Sequence, residues 1–420
     1  MIPTDTHQAD TSAWSLSQWL GYIESIHSSA IDLGLERVRQ VAQRLDLSFD
    51  QRRVITVAGT NGKGTTCAMI EQGLMLAGEK VAVYSSPHLL DYRERVRVNG
   101  QWCDEQAHCD AFAAIEAARG EVSLSYFEFG TLAALYLIDQ LKVDTAILEV
   151  GLGGRLDAVN IIDADIGVIT TIDIDHQDWL GSDRNGIGRE KAGILRPHQQ
   201  MVIGELDPPP SIEQAVNTLH GSAQWQGKDF HVQRQGGRWD YVSEDCHFDD
   251  LPEPAIPLQN AATALTVLRL CLPDLTTQQA RQIIQDTHLP GRFQEIDQRP
   301  RVIVDVAHNP QATGLLWQQL QQRHSGRLHL VVGMLGDKDS RASLAPFLVS
   351  QPSWYLADLS VPRGAKAEQL KEVLVGQQSV LCYPSVEQAY QAARSEAAPD
   401  DTIVVFGSFF TVAAVLQGEH

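Results

Sequence analysis

The sequence predicts an α/β protein with a nucleotide-binding domain built on a mostly parallel sheet and a smaller C-terminal α/β domain, and three observations carry that expectation. Short apolar runs rich in β-branched residues alternate with amphipathic stretches, the pattern of a sheet covered by helices on both faces. One of these runs leads straight into the glycine-rich turn Gly59-Thr-Asn-Gly-Lys-Gly-Thr65 and then into a helix. The chain has 420 residues, more than a single hydrophobic core usually organises.

Taken in order, the elements begin with helices across Ser15–Arg44 and a strand at Arg53–Ala58. The helix Thr65–Ala77 and the strand Val81–Tyr84 follow, then the helix Phe127–Leu141 and the strands Thr145–Val150, Ile166–Thr170 and Met201–Gly204. Several of these strands are apolar on both faces, as buried parallel strands are. Pro208–Pro210 and Gly236–Pro257, rich in turn formers, read as loops or short hairpins at the edge of the first sheet. After the helix Asn260–Leu272, a second series starts: strands Val302–Val306, Leu328–Gly333, Trp354–Ala357 and Thr402–Phe406, with helices Pro310–Gln322 and Val386–Ala393. A helix ends in Pro290-Gly291 and the charge balance changes nearby, which places the domains at 1–296 and 297–420. No internal repeat or low-complexity tract is evident.

Lys and Arg number 33 against 53 Asp and Glu, a formal charge of −20. Such acidity excludes a general nucleic-acid or anionic-membrane binder, because phosphate contacts need clustered cations. Residues 51–100 run the other way, with seven basic and four acidic side chains. At 43% apolar and 20% charged, the chain has ample material for a core. Its six cysteines are scattered without a C-x-x-C pair, which points to a reduced, cytoplasmic setting. Cys103, His108 and Cys109 lie close together but lack the second half of a metal site. The first basic residue is Arg37, so no secretory leader is expected, and the uncharged run Thr402–Leu416 is too short to cross a bilayer.

The turn at Gly59–Thr65 carries the strongest chemical signal. Glycines let backbone N–H groups close around phosphate oxygens, the helix N-terminus adds partial positive charge, and Lys63 supplies a full one. The spacing departs from G-x-x-x-x-G-K-[ST], since Val57 stands where the first glycine would be and Gly64 precedes Thr65. Further along, Glu149 emerges from an apolar strand before Gly151-Leu-Gly-Gly154, where the carboxyl edge of a parallel sheet forms a cleft. His176 follows another strand in Asp173-Ile-Asp-His-Gln-Asp178, and Asp173, Asp175 and Asp178 read as outer or solvated charges rather than site residues.

Together with Ser85-Ser-Pro-His-Leu89, Leu148–Asp157, Asp175-His176, Glu190-Lys-Ala-Gly193, Pro290-Gly-Arg-Phe293 and Asp305-Val-Ala-His-Asn-Pro310, this loop resembles the folylpolyglutamate synthase/dihydrofolate synthase family, within the Mur ligase superfamily. The motifs run in the family's order from about Trp19 to Val415, nearest to its bifunctional bacterial members. The resemblance implies an ATP-dependent ligase that activates a carboxylate as an acyl phosphate and joins it to L-glutamate. Dihydropteroate and reduced folates are then the acceptors, and the chain works as a monomer.

The resemblance also assigns roles. Gly59, Thr60, Asn61, Gly62, Lys63, Gly64 and Thr65 hold the phosphates of ATP; Asn260 faces the base, Arg292 a phosphate and Asp305 the ribose, with the nucleotide clamped between domains. Ser86, Glu149 and His176 contact two Mg2+ ions. Lys191 stands where many relatives carry a carbamylated lysine, the alternative being an ordinary helix lysine paired with Glu190 or a phosphate. Asp157 meets the pterin and Phe127 stacks on the aromatic part. Arg155, His308, Lys338 and Ser408 serve glutamate, with a neutral His308 orienting the amine or assisting its deprotonation. Three alternatives stay open on the residues alone: a monofunctional folylpolyglutamate synthase, a Mur-type ligase of UDP-linked peptides, and a P-loop ATP switch. The Mur reading needs an N-terminal nucleotide-sugar domain for which 1–50 leave no room. The switch leaves the second domain unexplained.

Overall fold

A computed structural model describes residues 13–27 and 32–418. The chain divides into two compact units: the residues up to Ile174 with Leu180–Pro254 and Leu258–Thr287, and Asp175–Trp179 with Ala255–Pro257 and His288 onward.

The first unit is built on eight strands among the described residues: β1 (Arg53–Ala58), β2 (Val81–Tyr84), β3 (Val96–Val98), β4 (Gln101–Trp102), β5 (Thr145–Glu149), β6 (Ile166–Ile169), β7 (Gln200–Ile203) and β8 (Ser222–Trp225). Their order is β4-β3-β2-β5-β1-β6-β7-β8. From β2 through β8 the pairs are parallel, and β3 and β4 run antiparallel at one edge. β1 and β5, at the centre, bury nearly every residue, which is why their sequences are continuously apolar rather than alternating. The crossovers between neighbouring parallel strands are helical, and this brings the ends of β1, β2, β5 and β6 to one edge.

The expected helices across Ser15–Arg44 are Leu16–Ser25 and Glu36–Arg44, with 28–31 outside the described residues. The first starts on a capping box formed by Ser15 and Gln18, which satisfies N–H groups the helix cannot bond itself. Tyr126–Gln140 starts on another, formed by Ser125 and the buried Glu128, and Glu128 also receives Arg37 at 2.9 Å. Against these helices lies Glu105–Arg119, for which the sequence reading had no element. Its Phe112 is enclosed by Trp19, Tyr92 and Phe129, with ring centroids 5.7–6.0 Å away.

Gly236–Pro257 is more regular than expected and does not extend the first sheet. With preceding residues it forms a separate antiparallel meander, β9 (Phe230–Gln235), β10 (Arg238–Ser243) and β11 (Cys246–Pro252). Tyr241 on β10 shares a hydrogen bond of 2.9 Å with Thr266 of the helix Leu258–Cys271. The proline run at 208–210 also differs from a plain loop, because Pro210 occupies the first turn of the helix Pro210–Leu219, where its missing N–H costs nothing.

The second unit holds β12 (Gln294–Gln298), β13 (Arg301–Val304), β14 (Leu328–Val332), β15 (Ser353–Ala357), β16 (Val380–Tyr383) and β17 (Thr402–Phe406), ordered β12-β13-β17-β14-β15-β16. All pairs are parallel except β12 with β13. Trp354, Phe347 and Phe406 fill its core, the last two rings 4.8 Å apart. No helix among the described residues is long and apolar enough to cross a membrane.

Phe112→Ala would empty the centre of the aromatic cluster. We expect a loss of about 3–5 kcal/mol, read as a lower urea midpoint for the first unit. An unchanged midpoint would show that the surrounding rings collapse into the space.

Candidate functional site

The glycine-rich turn joins β1 to the helix Lys63–Leu76 and is held mainly by the segment after β6. Thr60 N–H donates to the Thr171 carbonyl at 2.7 Å, and Asn61 N–H donates to Thr171 Oγ1 at 3.1 Å. The Asn61 carbonyl accepts from Thr170 Oγ1 at 2.6 Å and lies 3.1 Å from Thr171 Oγ1. Thr60 Oγ1 donates to the Asp173 carbonyl and accepts from Asp173 N–H, both at 3.0 Å. Lys63 turns inward, its Nζ donating to the carbonyls of Gly59 at 2.9 Å and Thr60 at 3.2 Å.

Gly62 caps the helix at φ +87°, a region costly to residues with a Cβ. A Cβ there would also approach the Asn260 amide to 2.5 Å. Asn260, buried on the helix Leu258–Cys271, donates from Nδ2 to Thr65 Oγ1 at 3.0 Å. The structure thus sets Asn260 against the loop itself, and its described contacts are with Gly62 and Thr65.

β5 lies between β1 and β2, with Val57 opposite Glu149 and Tyr84 opposite Leu148. Ser86 and Glu149 therefore leave the sheet at adjacent strand ends, level with the phosphate loop. Glu149 is 5% exposed. Its field and that of Lys63 both reach Cys67, whose thiol is pushed well up by burial first and by Glu149 next. Arg155, a potential partner for Glu149, instead pairs with Glu190 at 3.0 Å.

Beyond Glu149 the chain passes under Phe127. A Cβ at Gly151 would come within 2.4 Å of the ring, so glycine is what lets the aromatic side chain lie on the backbone. Phe127 also faces Tyr84, centroids 6.4 Å apart. Asp157, 2% exposed, accepts from Leu152 N–H at 2.8 Å and Val159 N–H at 3.1 Å. Burial pushes its pKa up to about 6 despite those donors and the more distant Lys63. Two of its lone-pair sites are thus engaged by its own loop, and a carboxyl has capacity for more.

Lys191 lies in the helix Arg184–Ala192 and is 4% exposed. Its neighbour Glu190 is engaged by Arg155, through Nε at 3.1 Å and Nη2 at 3.0 Å. The same pair occupies Arg155, one of the residues assigned to glutamate.

In the second unit, Asp305 ends β13 and clips two turns, its carboxylate accepting from Phe293 N–H at 2.7 Å and Ala307 N–H at 2.8 Å. Burial raises its pKa, with Arg292 opposing. The Arg292 guanidinium stands over Phe409, 5.0 Å from the ring centroid. His308 donates from Nδ1 to the Val306 carbonyl at 2.8 Å, which leaves Nε2 to face the Asp175 carboxylate. That Nε2 is 3.7 Å from Asp175.

Asp175, passed over as a site residue from sequence, proves to be the hub of this group. It accepts from Lys338 Nζ at 2.6 Å, Asn309 Nδ2 at 3.1 Å and the backbone N–H of His176 at 2.7 Å. Burial acts against its charge, but His308 and Lys338 outweigh it and hold the carboxyl well below the usual range. The signal that could have found it was adjacency to His176, the residue the motif did single out. Ser408 is buried at the start of the helix Phe409–Gly418, where its Oγ accepts from Thr411 N–H at 3.0 Å.

A carboxylate and a hydroxyl at strand ends beside a phosphate cradle suit a hard divalent cation, which takes oxygen donors and keeps several ligands from phosphate and water. Among the described residues no group of three or more His, Cys, Asp or Glu side chains could hold a metal by itself. Ser86 and Glu149 accordingly fit a cation that arrives with nucleotide phosphates.

Comparison with known proteins agrees with this geometry. The Mur ligase middle domain family matches residues 57–222, and the Mur ligase glutamate ligase domain family matches 291–409. The chain is 49% identical over 427 aligned positions to the dihydrofolate synthase/folylpolyglutamate synthase of Escherichia coli (strain K12), covering 99% of this chain and 98% of that protein. It is 40% identical to the Haemophilus influenzae protein of the same name, covering 95% and 96%. Among solved structures, E. coli FolC in complex with DHPP and ADP superposes with a TM-score of 0.93 at 48% identity, covering 97% of this chain and 98% of that one. A bifunctional folylpolyglutamate synthase/dihydrofolate synthase from Yersinia pestis complexed with AMPPNP and Mn ion gives a TM-score of 0.93 at 48% identity, covering 98% and 100%.

The raised pKa of Asp157 has a consequence for stability. The folded chain keeps this proton up to about pH 6, whereas an unfolded aspartic acid releases it near pH ~4. Between those values the folded state binds more protons, so this group's contribution falls as pH rises. In urea unfolding, Asp157→Asn, which cannot ionise, should gain on the parent by on the order of 2 kcal/mol from pH ~4 to pH ~6. A flat difference across that window would mean the carboxyl titrates normally.

Proposed function

Because the chain belongs to the dihydrofolate synthase/folylpolyglutamate synthase family of Mur-type ligases, we propose that it adds L-glutamate to 7,8-dihydropteroate, giving dihydrofolate, and to reduced folates. The observation that carries this reading is the cradle at the sheet edge: the Gly59–Thr65 loop with Lys63, beside Glu149 and Ser86 at the adjacent strand ends. Phosphoryl transfer to a carboxylate brings two anions together, so the site must neutralise charge before positioning can help.

In this reading the N–H groups from Gly62 into the helix N-terminus hold the ATP phosphates, while those of Thr60 and Asn61, bonded to Thr171, shape the loop. Lys63 leaves its two backbone carbonyls for a phosphate oxygen, an exchange of neutral acceptors for a charged one that strengthens each hydrogen bond. Ser86, Glu149 and His176 would hold Mg2+, which would screen the phosphates and the acceptor carboxylate from one another. Arg292 serves a phosphate and Asp305 the ribose, while Asn260 shapes the loop through Gly62 and Thr65. Asp157 faces the pterin donors with its remaining acceptor capacity, and Phe127 supplies the flat wall.

Attack by the glutamate amine on the acyl phosphate forms the amide and expels phosphate, and the amine must be neutral to do it. His308 suits this step, since its Nδ1 is tied to the Val306 carbonyl and its Nε2 can accept a proton. Lys338 and Ser408 are placed with the glutamate carboxylates, Lys338 exchanging Asp175 for substrate. Arg155, paired with Glu190, contributes through that ion pair. Lys191, buried in the helix Arg184–Ala192, keeps its reading as a carbamate-bearing lysine, a modification that would turn a cation into a carboxylate-like metal ligand. Free thiols at all six cysteines are consistent with a cytoplasmic enzyme.

Purified protein with ATP, Mg2+ and glutamate should release phosphate when offered either dihydropteroate or tetrahydrofolate, and little without an acceptor. Turnover of tetrahydrofolate alone would leave a monofunctional synthase, and phosphate release with neither acceptor would overturn the ligase reading. Lys63→Ala should lower kcat by about 1,000-fold or more while the melting temperature holds, since among the described residues this side chain's hydrogen bonds are to its own loop. Near-parental turnover would remove Lys63 from the mechanism.

A further inference from the structure

The segment Ser85–Asp91, which carries Ser86, is tied down by the segment that immediately follows it. Ser85 N–H donates to the Arg95 carbonyl at 2.9 Å, and Ser85 Oγ accepts from Arg97 Nη1 at 3.2 Å. Arg97 is itself anchored, its Nε donating to Glu71 Oε2 at 2.6 Å. Glu71 is buried on the phosphate-loop helix, about two turns beyond Lys63. The Glu94 carboxylate accepts from three successive N–H groups, those of Leu89, Leu90 and Asp91, at 2.6–2.8 Å.

Arg95 is the unusual member. It is 8% exposed and forms no ion pair with a carboxylate among the described residues, although burying an unpaired charge is costly. Its guanidinium lies over Tyr92 and Tyr126, 5.2 and 5.5 Å from their centroids, and its Nε donates to His88 Nδ1 at 2.9 Å. Stacking on two rings offsets part of the cost. A packing role would be met by Leu or Met without it, whereas a directed donor to His88 would not.

We propose that Arg95 and Arg97 are positioning residues that hold His88 and Ser85 on either side of Ser86, so that the Ser86 hydroxyl is fixed relative to the phosphate-loop helix. The Ser86 side chain is two residues from the end of β2 and has no regular strand to orient it, so its direction depends on these flanking anchors. Glu71 extends the connection to the helix whose N-terminus receives phosphate. This inference rests on the reading of Ser86 as a ligand to the nucleotide-borne cation, and outer partners of that kind set metal affinity by about 10–100-fold.

Ser85→Ala and His88→Ala remove the two acceptors while leaving both arginines and the tyrosine cage in place. Binding of Mn2+ in the presence of AMPPNP, followed through the electron paramagnetic resonance of free Mn2+, should weaken by about tenfold in each. Metal-free ADP binding and the melting temperature should stay at parental values, and His88→Asn, which retains an acceptor, should recover most of the affinity. Parental Mn2+ affinity in either alanine variant, or a loss that tracks a lowered melting temperature, would overturn the proposal. Ser86→Ala separates the two layers. If it weakens Mn2+ binding while Ser85→Ala and His88→Ala do not, the brace fails and the ligand reading stands. If it also binds normally, the ligand reading fails and the brace with it.

Discussion

The carbonyl oxygen of Asn61 points back at β6, where Thr170 Oγ1 donates to it at 2.6 Å and Thr171 Oγ1 stands 3.1 Å away. A phosphate loop needs its N–H groups turned toward the ligand, so the opposing carbonyls need partners elsewhere. The two threonines provide one, and the reciprocal bonds between Thr60 and Asp173 continue it. The neighbouring strand end therefore contributes bonds that shape the loop, and a loop held in this way loses less entropy on binding a ligand. Parallel pairing of β1 with β5 and β6 then fixes Glu149 relative to that loop, and β2 brings Ser86 to the same edge.

Legibility in the sequence followed burial. The central strands were readable because both their faces are covered, and Thr402–Phe406 ends where its apolar run ends. Elements at the margins were not. β12 reads Gln-Glu-Ile-Asp-Gln and β4 is two exposed residues, both paired on an edge where polar side chains are tolerated. Glu105–Arg119 was hidden by its alanines, which give a weak periodic signal while packing as closely as larger residues. At the site, the motif residues were legible as identities but not as partners. That Arg155 would choose Glu190, and that Asp175 would collect Lys338 and Asn309, depends on side chains distant in sequence.

The charge pattern acquires a different meaning once those partners are known. The seven cations at 51–100 would attract anionic substrates if they were free. Four of its seven cations are in ion pairs: Arg52 with Asp139, Arg53 with Glu79, Arg93 with Asp91 and Arg97 with Glu71. Arg95 is enclosed by aromatic rings. Most of the excess is thus engaged within the protein, and the largely buried pairs Arg52–Asp139 and Arg97–Glu71 are screened little by salt. Of the two lysines that remain, Lys80 bonds the Leu141 carbonyl, and Lys63, whose described hydrogen bonds are to carbonyls, is the one on the glycine-rich loop.

The ring of Phe127 resting on Gly151 links two positions 24 residues apart into one heritable unit. Any side chain at 151 displaces the ring, and a smaller residue at 127 leaves an open space over the backbone that joins Glu149 to Asp157. A change at either position must therefore be matched at the other if the segment between Glu149 and Asp157 is to keep its packing.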